Sequence, residues 1–472
     1  MANVTYVTND QDRVIHPVDR VLPIGQLLIY GLQHVLAMYA GAVAVPLIVA
    51  SALKLSQEQL IYLINADLFT CGIATLIQTL GLGRLRVGIK LPIVQGCTFA
   101  AVTPMILIGS AHGLTAIYGS IIVAGLITIL LSPVFSRLIR FFPPVVTGSV
   151  ITIIGISLLP VAVNWAGGGN PAAPDFGNVE YIVVAFIILV FVLLIYRFFK
   201  GFIGSIAILL GLVVGTLIAI PLGLTNFSGV GQAAWIGITT PFHYGLPTFD
   251  LASIVSLTIV MLVTMVETTG DIIAVGEIVD KPITRQGLTS GLMADGLSTI
   301  LGGILNAFPY TAYAQNVGVV GLTGVRSRFV VATAGGILII LGLFPKLAGI
   351  VASIPQPVLG GAGLALFGIV AASGIKTLSK VSFEGNYNLL IVAISVGIGL
   401  ISLGSPTFYH KFPDWLQIIL NSGISAGSIT AILLNLFLNG STRPAVVGTP
   451  EPAEPEADRA EDMPTRLGVD IE

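Results

Sequence analysis

Two acidic side chains lie four residues apart within an otherwise apolar stretch and are the first candidates for chemistry. Glu267 and Asp271 occur in MVETTGD, and on a helix this spacing puts both on one face. A third acid, Asp295, occurs in LMADGLS, and His34 follows Gln33 in GLQHVLAMYAG. Two ionised acids at this spacing repel each other, and burial disfavours charge. The pattern predicts a group that takes up and releases protons while one of its carboxylates holds a ligand.

The same ionisable residues could instead have structural roles. A buried carboxylate such as Glu267 or Asp295 can pair with a serine or threonine, and His34 can be a hydrogen-bonded packing residue. We assign Asp67, in NADLF, a structural role. An ionisable side chain at the centre of a membrane costs roughly 2.5–3.5 kcal/mol on insertion scales. For this reason we favour a functional role for the acids of the first group and for His34.

Two apolar segments are too short and too interrupted to be continuous helices. Residues 91–104 have a proline near each end and a glycine inside, and residues 308–324 contain one proline and several glycines. Gln95 and Gln315, one in each segment, are 220 positions apart. We expect extended backbone in both, which is tolerated at membrane depth only against protein or a water-filled cavity. Its N–H and C=O groups would suit a flat heterocycle; the alternative is simple proline kinks.

The whole chain has the composition of a membrane protein. Of its 472 residues 55% are hydrophobic and 9% charged, and the mean hydropathy is +0.96, whereas soluble domains carry about 25% charged residues. Long unbroken apolar stretches indicate helices rather than a barrel. The net charge of −2 gives no indication of nucleic-acid binding, and Cys71 and Cys97 indicate no disulfide framework. Residues 1–20 lack the apolar core of a signal peptide.

Apolar stretches of about 20 residues predict fourteen transmembrane spans. The predicted spans are 23–50, 58–81, 91–109, 114–133, 145–163, 180–197, 202–222, 251–270, 287–305, 310–323, 328–350, 356–374, 387–404 and 415–438. If both termini are cytoplasmic, 18 of the 21 basic residues fall inside, and only Lys54, Lys346 and Lys411 fall outside. This agrees with the positive-inside rule. We predict an inner-membrane protein with a disordered cytoplasmic tail at 441–472.

The two halves of the chain resemble each other. Residues 126–159 and 337–370 each combine an apolar helix that ends near Phe135 or Phe344, a short link and a Pro-Val pair that enters the next helix. Pro144 and Pro357 are 213 positions apart. Since seven spans per half is an odd number, the second copy must be inverted, as is typical of secondary transporters with a midplane binding site. The alternative is that apolar helices look alike by chance.

Five short motifs carry a resemblance to a known family. They are QH at 33–34, ETTGD at 267–271, ADG at 294–296, QNVG at 315–318 and TG at 323–324. Over essentially the whole chain before the tail, the sequence resembles bacterial members of the nucleobase–ascorbate transporter family. The resemblance implies a proton symporter, usually a homodimer, and the spans and the repeat described above predict an all-α fold of fourteen spans in a 7+7 inverted repeat. Spans 3 and 10 would be broken.

The resemblance also implies two domains that move against each other. A core domain would comprise spans 1–4 and 8–11, and a gate domain spans 5–7 and 12–14. The predicted division is an N-terminal cytoplasmic segment at 1–20, core at 21–144 and 251–354, gate at 145–250 and 355–440, and the tail at 441–472.

The same family likeness indicates a purine substrate. Members with glutamine at the position of Gln315 resemble carriers of xanthine or urate, whereas uracil carriers typically have glutamate there. An amide can both donate to and accept from a purine dione, Glu267 would accept from ring N–H groups, and Phe99 would contact the ring face. Alanines follow Phe99 where several relatives have an aromatic residue, which leaves room for the extra oxygen of urate. The predicted substrate-binding residues are Glu267, Gln315, Phe99, Ala100, Ala101 and Asn316.

Three other functions are weighed against this one. A uracil or other pyrimidine carrier is disfavoured by Gln315, and in an anion transporter of the sulfate or bicarbonate type Glu267 would repel the substrate. An enzyme is disfavoured because no metal-ligand cluster, Ser-His arrangement or phosphate-binding glycine loop is in register with the spans. We expect no metal or cofactor. The expected partners are a purine base, a proton, the lipid bilayer and a second copy of the chain, with no nucleic acid.

Overall fold

The computed structural model describes residues 15–83, 86–384 and 387–440, which form helices and a two-stranded sheet. The predicted tail at 441–472 and most of the predicted segment 1–20 lie outside these residues. The first half contains α1 (Ile24–Ala52), α2 (Gln57–Leu80), β1 (Gln95–Cys97), α3 (Val102–His112), α4 (Leu114–Leu131), α5 (Phe135–Leu138), α6 (Pro144–Ala166), α7 (Val179–Phe198), α8 (Phe202–Ser205), α9 (Ala207–Ala219) and α10 (Ser228–Gln232). The second half contains α11 (Leu251–Ile278), α12 (Arg285–Ile304), β2 (Tyr310–Ala312), α13 (Ala314–Thr323), α14 (Arg328–Gly342), α15 (Pro345–Ala352), α16 (Gln356–Leu378), α17 (Asn388–Gly399), α18 (Ile401–Gly404), α19 (Asp414–Leu420) and α20 (Gly423–Asn439).

Seven of the described helices are long and apolar enough to cross a membrane, namely α1, α2, α4, α6, α7, α11 and α16. Two bent pairs, α14 with α15 and α19 with α20, meet the same criterion when each pair is counted as one span. α9 and α17 are shorter apolar helices, as is α3 with the turn before it. The chain is therefore a helical multi-pass membrane protein.

The two bent pairs differ from the continuous spans predicted at 328–350 and 415–438. The chain turns through 83° between α14 and α15 and through 77° between α19 and α20. Pro345 begins α15, and its ring and missing N–H prevent the preceding helix from continuing. At the second bend Ser422 caps α20 by accepting from the N–H of Ser425 at 3.2 Å. Each predicted span therefore contains one longer helix and one short helix at a steep angle to it.

Polar residues between the apolar stretches determine where the long helices begin and end. Ser56 and Gln59 form a reciprocal capping box at the start of α2. Asp250 caps α11 by accepting from the N–H of Ser253 at 2.8 Å. α2 ends at Gly81, whose φ of +74° is unfavourable for other residues. These signals explain why α2 starts and stops within one residue of its predicted span.

The helices pack into two groups. In one, α1 and α2 pack on α14, while α4 packs on α11 and α12. In the other, α6 runs along α16. Helices α7 and α9 pack on α16, whereas α17 and α20 pack on α6. The groups meet where α1 contacts α9 and where α11 contacts α6 and α20. The contacts of one half have counterparts in the other. Helix α2 packs on α14 as α12 packs on α4, and α7 packs on α9 as α17 packs on α20.

Glycines bring the paired helices of the first group into backbone contact. A Cβ atom on Gly72 of α2 would lie 2.5 Å from the carbonyl oxygen of Gly335 in α14. A Cβ atom on Gly125 of α4 would lie 2.8 Å from the carbonyl oxygen of Gly296 in α12. Small residues at such crossings are typical of helix packing in membranes. The two crossings correspond to each other when the halves are exchanged.

We predict that Gly72→Ala destabilises the protein and that Gly336→Ala does not. The new methyl group on α2 would overlap the Gly335 carbonyl, and overpacking typically costs about 1–3 kcal/mol. Gly336 is a matched control because it is also helical and a Cβ atom there meets nothing within 4 Å. The fraction of purified protein that stays monodisperse after heating in detergent measures the effect. Equal melting of the two variants would contradict the prediction.

Candidate functional site

Two three-residue strands lie between α2 on one side and α11 and α12 on the other. They are antiparallel, and the register pairs Gln95 with Ala312, Gly96 with Thr311 and Cys97 with Tyr310. Thr98 N–H donates to the Pro309 carbonyl at 2.9 Å, and Tyr313 N–H donates to the Val94 carbonyl at 3.0 Å. Both interrupted segments therefore contain the extended backbone that the sequence predicts, and each satisfies the backbone groups of the other.

Threonine hydroxyls on the surrounding helices hold the strands. Thr75 of α2 accepts from the N–H of Gln95 at 3.0 Å, and Thr299 of α12 accepts from the N–H of Tyr310 at 3.1 Å. Thr268 of α11 accepts from the N–H of the last β2 residue at 3.2 Å. These side chains are buried. They supply hydrogen-bond partners at the strand ends, where lipid offers none.

The strand positions give an offset between the two interrupted segments. β1 begins at residue 95 and β2 at residue 310, an offset of 215. With this offset Gln315 corresponds to Ala100, not to Gln95 as the 220-residue spacing of the two glutamines suggests. Gln95 lies within a strand, whereas Gln315 lies in the first turn of a helix. The two amides therefore have different neighbours.

A cavity of about 640 Å³ lies between the two helix groups. We call it the central cavity. One wall consists of the turn after β1, part of α11 and the residues from β2 into α13, and the other consists of α6 and α16. Its volume falls in the range of small-molecule sites. The predicted site residues that line it are Phe99, Ala100, Glu267, Asp271 and Gln315.

The cavity wall presents hydrogen-bonding groups of both kinds. Glu267 and Asp271 come from successive turns of α11. The Oδ2 atom of Asp271 is buried and has no hydrogen-bond partner among the described residues. Gln315 is exposed to the cavity at the start of α13, which has no side-chain cap. An uncapped helix start leaves N–H groups available for a ligand.

The other predicted site residues lie behind this wall. The Oδ1 atom of Asp295 accepts from Gln95 Nε2 at 2.8 Å, which ties α12 to β1. Asn316 Nδ2 donates to the backbone carbonyl of His34 at 2.9 Å and lies 3.2 Å from its ring Nδ1, which ties α13 to α1. Ala101 is fully buried. None of these side chains lines the central cavity, so any effect of Asp295, His34 or Asn316 on a ligand there passes through the wall.

Phe99 lies where the two helix groups meet. It belongs to a single 3-10 turn that Thr98 caps by accepting from the N–H of Ala100 at 3.2 Å. Its ring meets that of Phe367 in α16 edge to face, with centroids 6.1 Å apart. The ring is therefore positioned by both groups while it borders the cavity.

Several residues of the central cavity were not singled out by the sequence. They include Thr147 of α6, Ser373 and Thr377 of α16, and Lys380 just beyond α16. Their segments contain neither an interrupted helix nor a charge within an apolar stretch. They reach the cavity only because α6 and α16 pack along each other. The Pro-Val pairs that begin these two helices are the one sequence signal that links them.

Asp67 lies beneath the strands. Its Oδ1 atom accepts from the hydroxyl of Tyr310 at 2.9 Å, and the Sγ atom of Cys71 lies 3.7 Å from its Oδ2 atom. All three residues are buried. These contacts tie α2 to β2, which fits the structural role assigned to Asp67 from the sequence.

The arrangement can bind a small polar molecule by hydrogen bonds and can exchange protons at the Glu267 and Asp271 carboxylates. Among the residues that the structure describes, no group of three or more His, Cys, Asp or Glu side chains could hold a metal ion.

We predict that Asn316→Ala loosens α13. The hydrogen bonds from Asn316 Nδ2 to the His34 carbonyl and toward its ring nitrogen would be lost, and a typical hydrogen bond contributes about 0.5–1.5 kcal/mol. Gly318→Ala is the control on the same helix, because a Cβ atom there meets nothing within 4 Å. Thermal melting and hydrogen exchange of the α13 amides measure the change. If Asn316→Ala behaves like the control, the Asn316–His34 contact does not hold the helix.

Two solved structures of transporters resemble this fold. The transmembrane domain of a cyanobacterial bicarbonate transporter, BicA, matches with a TM-score of 0.59 and 15% identity, over 88% of this chain and 100% of that chain. The murine anion transporter Slc26a9 in the inward-facing state matches with a TM-score of 0.60 and 13% identity, over 89% and 70%. At these identities the likeness shows the fold alone.

Sequence comparison places the chain in a family of permeases. Residues 25–407 match the model of a permease family, Xan_ur_permease. The uric acid transporter UacT of Escherichia coli (strain K12) is 48% identical over 92% of this chain and 90% of its own. The xanthine permease of Bacillus subtilis (strain 168) is 48% identical over 93% and 98%. The chain therefore belongs to this permease family, the nucleobase–ascorbate transporters that its motifs resemble.

Proposed function

We propose that this protein is a permease that imports urate, xanthine or both across the cytoplasmic membrane together with a proton. The observation that carries the proposal is a single cavity on which Glu267, Gln315 and Phe99 all border. Relatives that are 48% identical over at least nine-tenths of both chains are named uric acid transporter and xanthine permease. A purine dione is flat and carries both N–H and C=O groups. The carboxylate of Glu267 matches its N–H groups, the amide of Gln315 matches both kinds of group, and the ring of Phe99 matches its flat face.

Each contact has a defined role in this proposal. Glu267 accepts from ring N–H groups, and the amide of Gln315 both donates to and accepts from an N–H flanked by C=O groups. N–H groups at the uncapped start of α13 donate to a second ring oxygen. Phe99 contacts the ring face, and the small Ala100 leaves space beside it. Ala101 and Asn316 support the wall from behind.

Proton coupling follows from the charges of site and substrate. Urate is an anion at neutral pH, and an anion beside Glu267 and Asp271 is repelled unless a proton is taken up with it. We place Asp295 and His34 in the same group, because Asp295 is hydrogen-bonded to Gln95 in β1 and His34 to Asn316, the residue after Gln315. Interacting acids titrate together, so we assign the proton to this group as a whole.

Alternating access would arise from movement between the two helix groups. Residues 21–144 and 251–354 would form the core, and residues 145–250 and 355–440 would form the gate. The exchange of contacts between halves supports fourteen spans in a seven-plus-seven inverted repeat, as in other secondary transporters. The central cavity reaches Lys380, on the side that the basic residues predict to be cytoplasmic. The conformation would then be open to the inside, and two such chains would form the homodimer usual in the family.

We predict that cells lacking their own purine permeases take up labelled urate or xanthine when they express this protein. Glu267→Gln should reduce the uptake about 10- to 100-fold, because a hydrogen bond to a charged group contributes about 1.5–3 kcal/mol. Gln315→Glu should shift selectivity away from xanthine and urate, since a carboxylate cannot donate. Glu277→Gln, an exposed change near the end of the same helix as Glu267, should leave uptake unchanged.

Surface expression of every variant has to be measured beside uptake. If neither purine enters although the wild type reaches the membrane, the substrate assignment is wrong. Uracil and sulfate uptake by the same cells would then be measured.

We further predict that a protonophore abolishes accumulation of the purine. Asp271→Asn should keep purine binding in detergent within a few-fold but lose concentrative uptake, because the change removes a proton acceptor from the cavity wall. Equilibrium binding and accumulation ratios, measured on the same preparation, separate these effects. Accumulation that persists with the proton gradient fully dissipated would rule out proton coupling.

A further inference from the structure

A second cavity, of about 550 Å³, lies at the opposite end of α16 from the mouth of the central cavity. We call it the outer vestibule. It is enclosed by the link between α1 and α2, the segment after α9 and the link between α15 and α16. On the predicted orientation it faces away from the cytoplasm. Nothing in the proposed binding site uses it.

Polar groups line the outer vestibule, and they favour an anionic or electron-rich ligand. Lys54 is the one charged side chain among the described residues that line it. Gln57, Asn226 and Gln356 add amides. The buried Oε1 atom of Gln356 has no hydrogen-bond partner among the described residues; as an acceptor it suits a ligand N–H group, while the charge preference comes from Lys54. The start of α16 also faces the vestibule without a side-chain cap, so its positive end adds to the charge of Lys54.

The backbone at Lys54 argues that the lysine is present for its charge. Lys54 follows the end of α1 and has a φ of +53°. Glycine adopts such a conformation without steric cost, whereas a residue with a side chain does so at a penalty. The turn by itself would therefore favour glycine. A lysine there places a cation at the rim of a cavity.

A line of small voids joins the outer vestibule to the central cavity along α1 and α16. A void of about 20 Å³ shares Leu47 and Leu359 with the vestibule. A void of about 40 Å³ shares Leu366 with the first void and shares Gln315 and Ile369 with the central cavity. The two cavities therefore lie on one seam between the helix groups.

Apolar contacts close this seam on the vestibule side. Val43 and Ala44 of α1 face Leu212 of α9 and Ala362 of α16 across the smaller void. A space of this volume admits about one water and excludes a purine. The seam between the helix groups is therefore closed next to the outer vestibule and open at the central cavity.

We propose that the outer vestibule is a first binding site for the purine, in which Lys54 attracts its anionic form before the seam opens. This inference rests on the proposed function and assigns to the site a planar heterocyclic anion with several acceptor oxygens. A cation at the mouth of a low-dielectric cleft raises the local concentration of an anion and speeds its association. The local concentration and the association rate of a largely uncharged substrate increase much less.

Lys54→Gln should therefore discriminate between the two purines. We expect the KM for urate, which is anionic at neutral pH, to rise about threefold to tenfold with little change in the maximal rate. The KM for xanthine at a slightly acidic pH, where it is mostly neutral, should change less than twofold. Raising the ionic strength should weaken urate uptake by the wild type and leave the variant nearly unaffected.

Two control variants isolate the charge at this position. Lys54→Arg keeps the charge and should behave like wild type. Lys411→Gln removes another exposed basic residue of the same predicted side that does not line the vestibule, and it should change neither KM. The affinity of purified protein for urate through the open central cavity should be the same for wild type and Lys54→Gln.

The outcomes separate this inference from the proposed function. If wild type carries purines and Lys54→Gln leaves the KM for urate unchanged, the vestibule is not a first site and the proposed function stands. The same conclusion follows if Lys54→Gln shifts both purines equally or if Lys411→Gln has the same effect. If wild type carries neither purine, the proposed function itself fails.

Discussion

The pairing of two three-residue strands within the membrane is the constraint on which the rest of the structure depends. Extended backbone cannot face lipid, because its N–H and C=O groups would lose their partners. Here β1 and β2 satisfy each other, and threonines from α2, α11 and α12 complete the ends. The interruption allows α3 and α13 to start partway along their segments. It is this placement that brings Phe99 and Gln315 to the edge of a cavity rather than into a packed core.

Much of this arrangement could be predicted from sequence, because membrane proteins obey strong local constraints. Prolines near both ends of 91–104 with a glycine between them, and a proline and glycines within 308–324, indicated interrupted helices. Acids within an apolar stretch indicated two of the residues that line the central cavity. The strand register could not be predicted in the same way. It depends on which backbone groups meet across more than 200 residues of chain, and the 220-residue spacing of Gln95 and Gln315 differs from the 215-residue offset between the strands. The contact of Asn316 with His34 could not be predicted either, because it depends on the packing of α13 against α1.

The far wall of the central cavity was the least accessible to sequence analysis. Thr147, Ser373 and Thr377 lie on ordinary apolar helices, and single hydroxyls on such helices usually bond to their own backbone. Thr147 does so, donating to the Pro143 carbonyl at 2.9 Å. Their position beside Glu267 follows from the packing of α6 along α16. The bend at Ser422 was missed because an apolar run can be read through it, whereas the break before Pro345 agrees with the helix end predicted near Phe344.

The glycine crossings of α2 with α14 and of α4 with α12 have a mechanical consequence. Helices in backbone contact have no soft side-chain layer between them, so they cannot slide past each other without breaking that contact. Any displacement of one helix group against the other must then be absorbed by the connections, at residues 132–143, 220–250 and 343–355. The first and the last of these consist of short helical turns and prolines, which can change direction without loss of a long helix. The compliance of these connections, rather than of the wall of the central cavity, would limit how fast one helix group can move against the other.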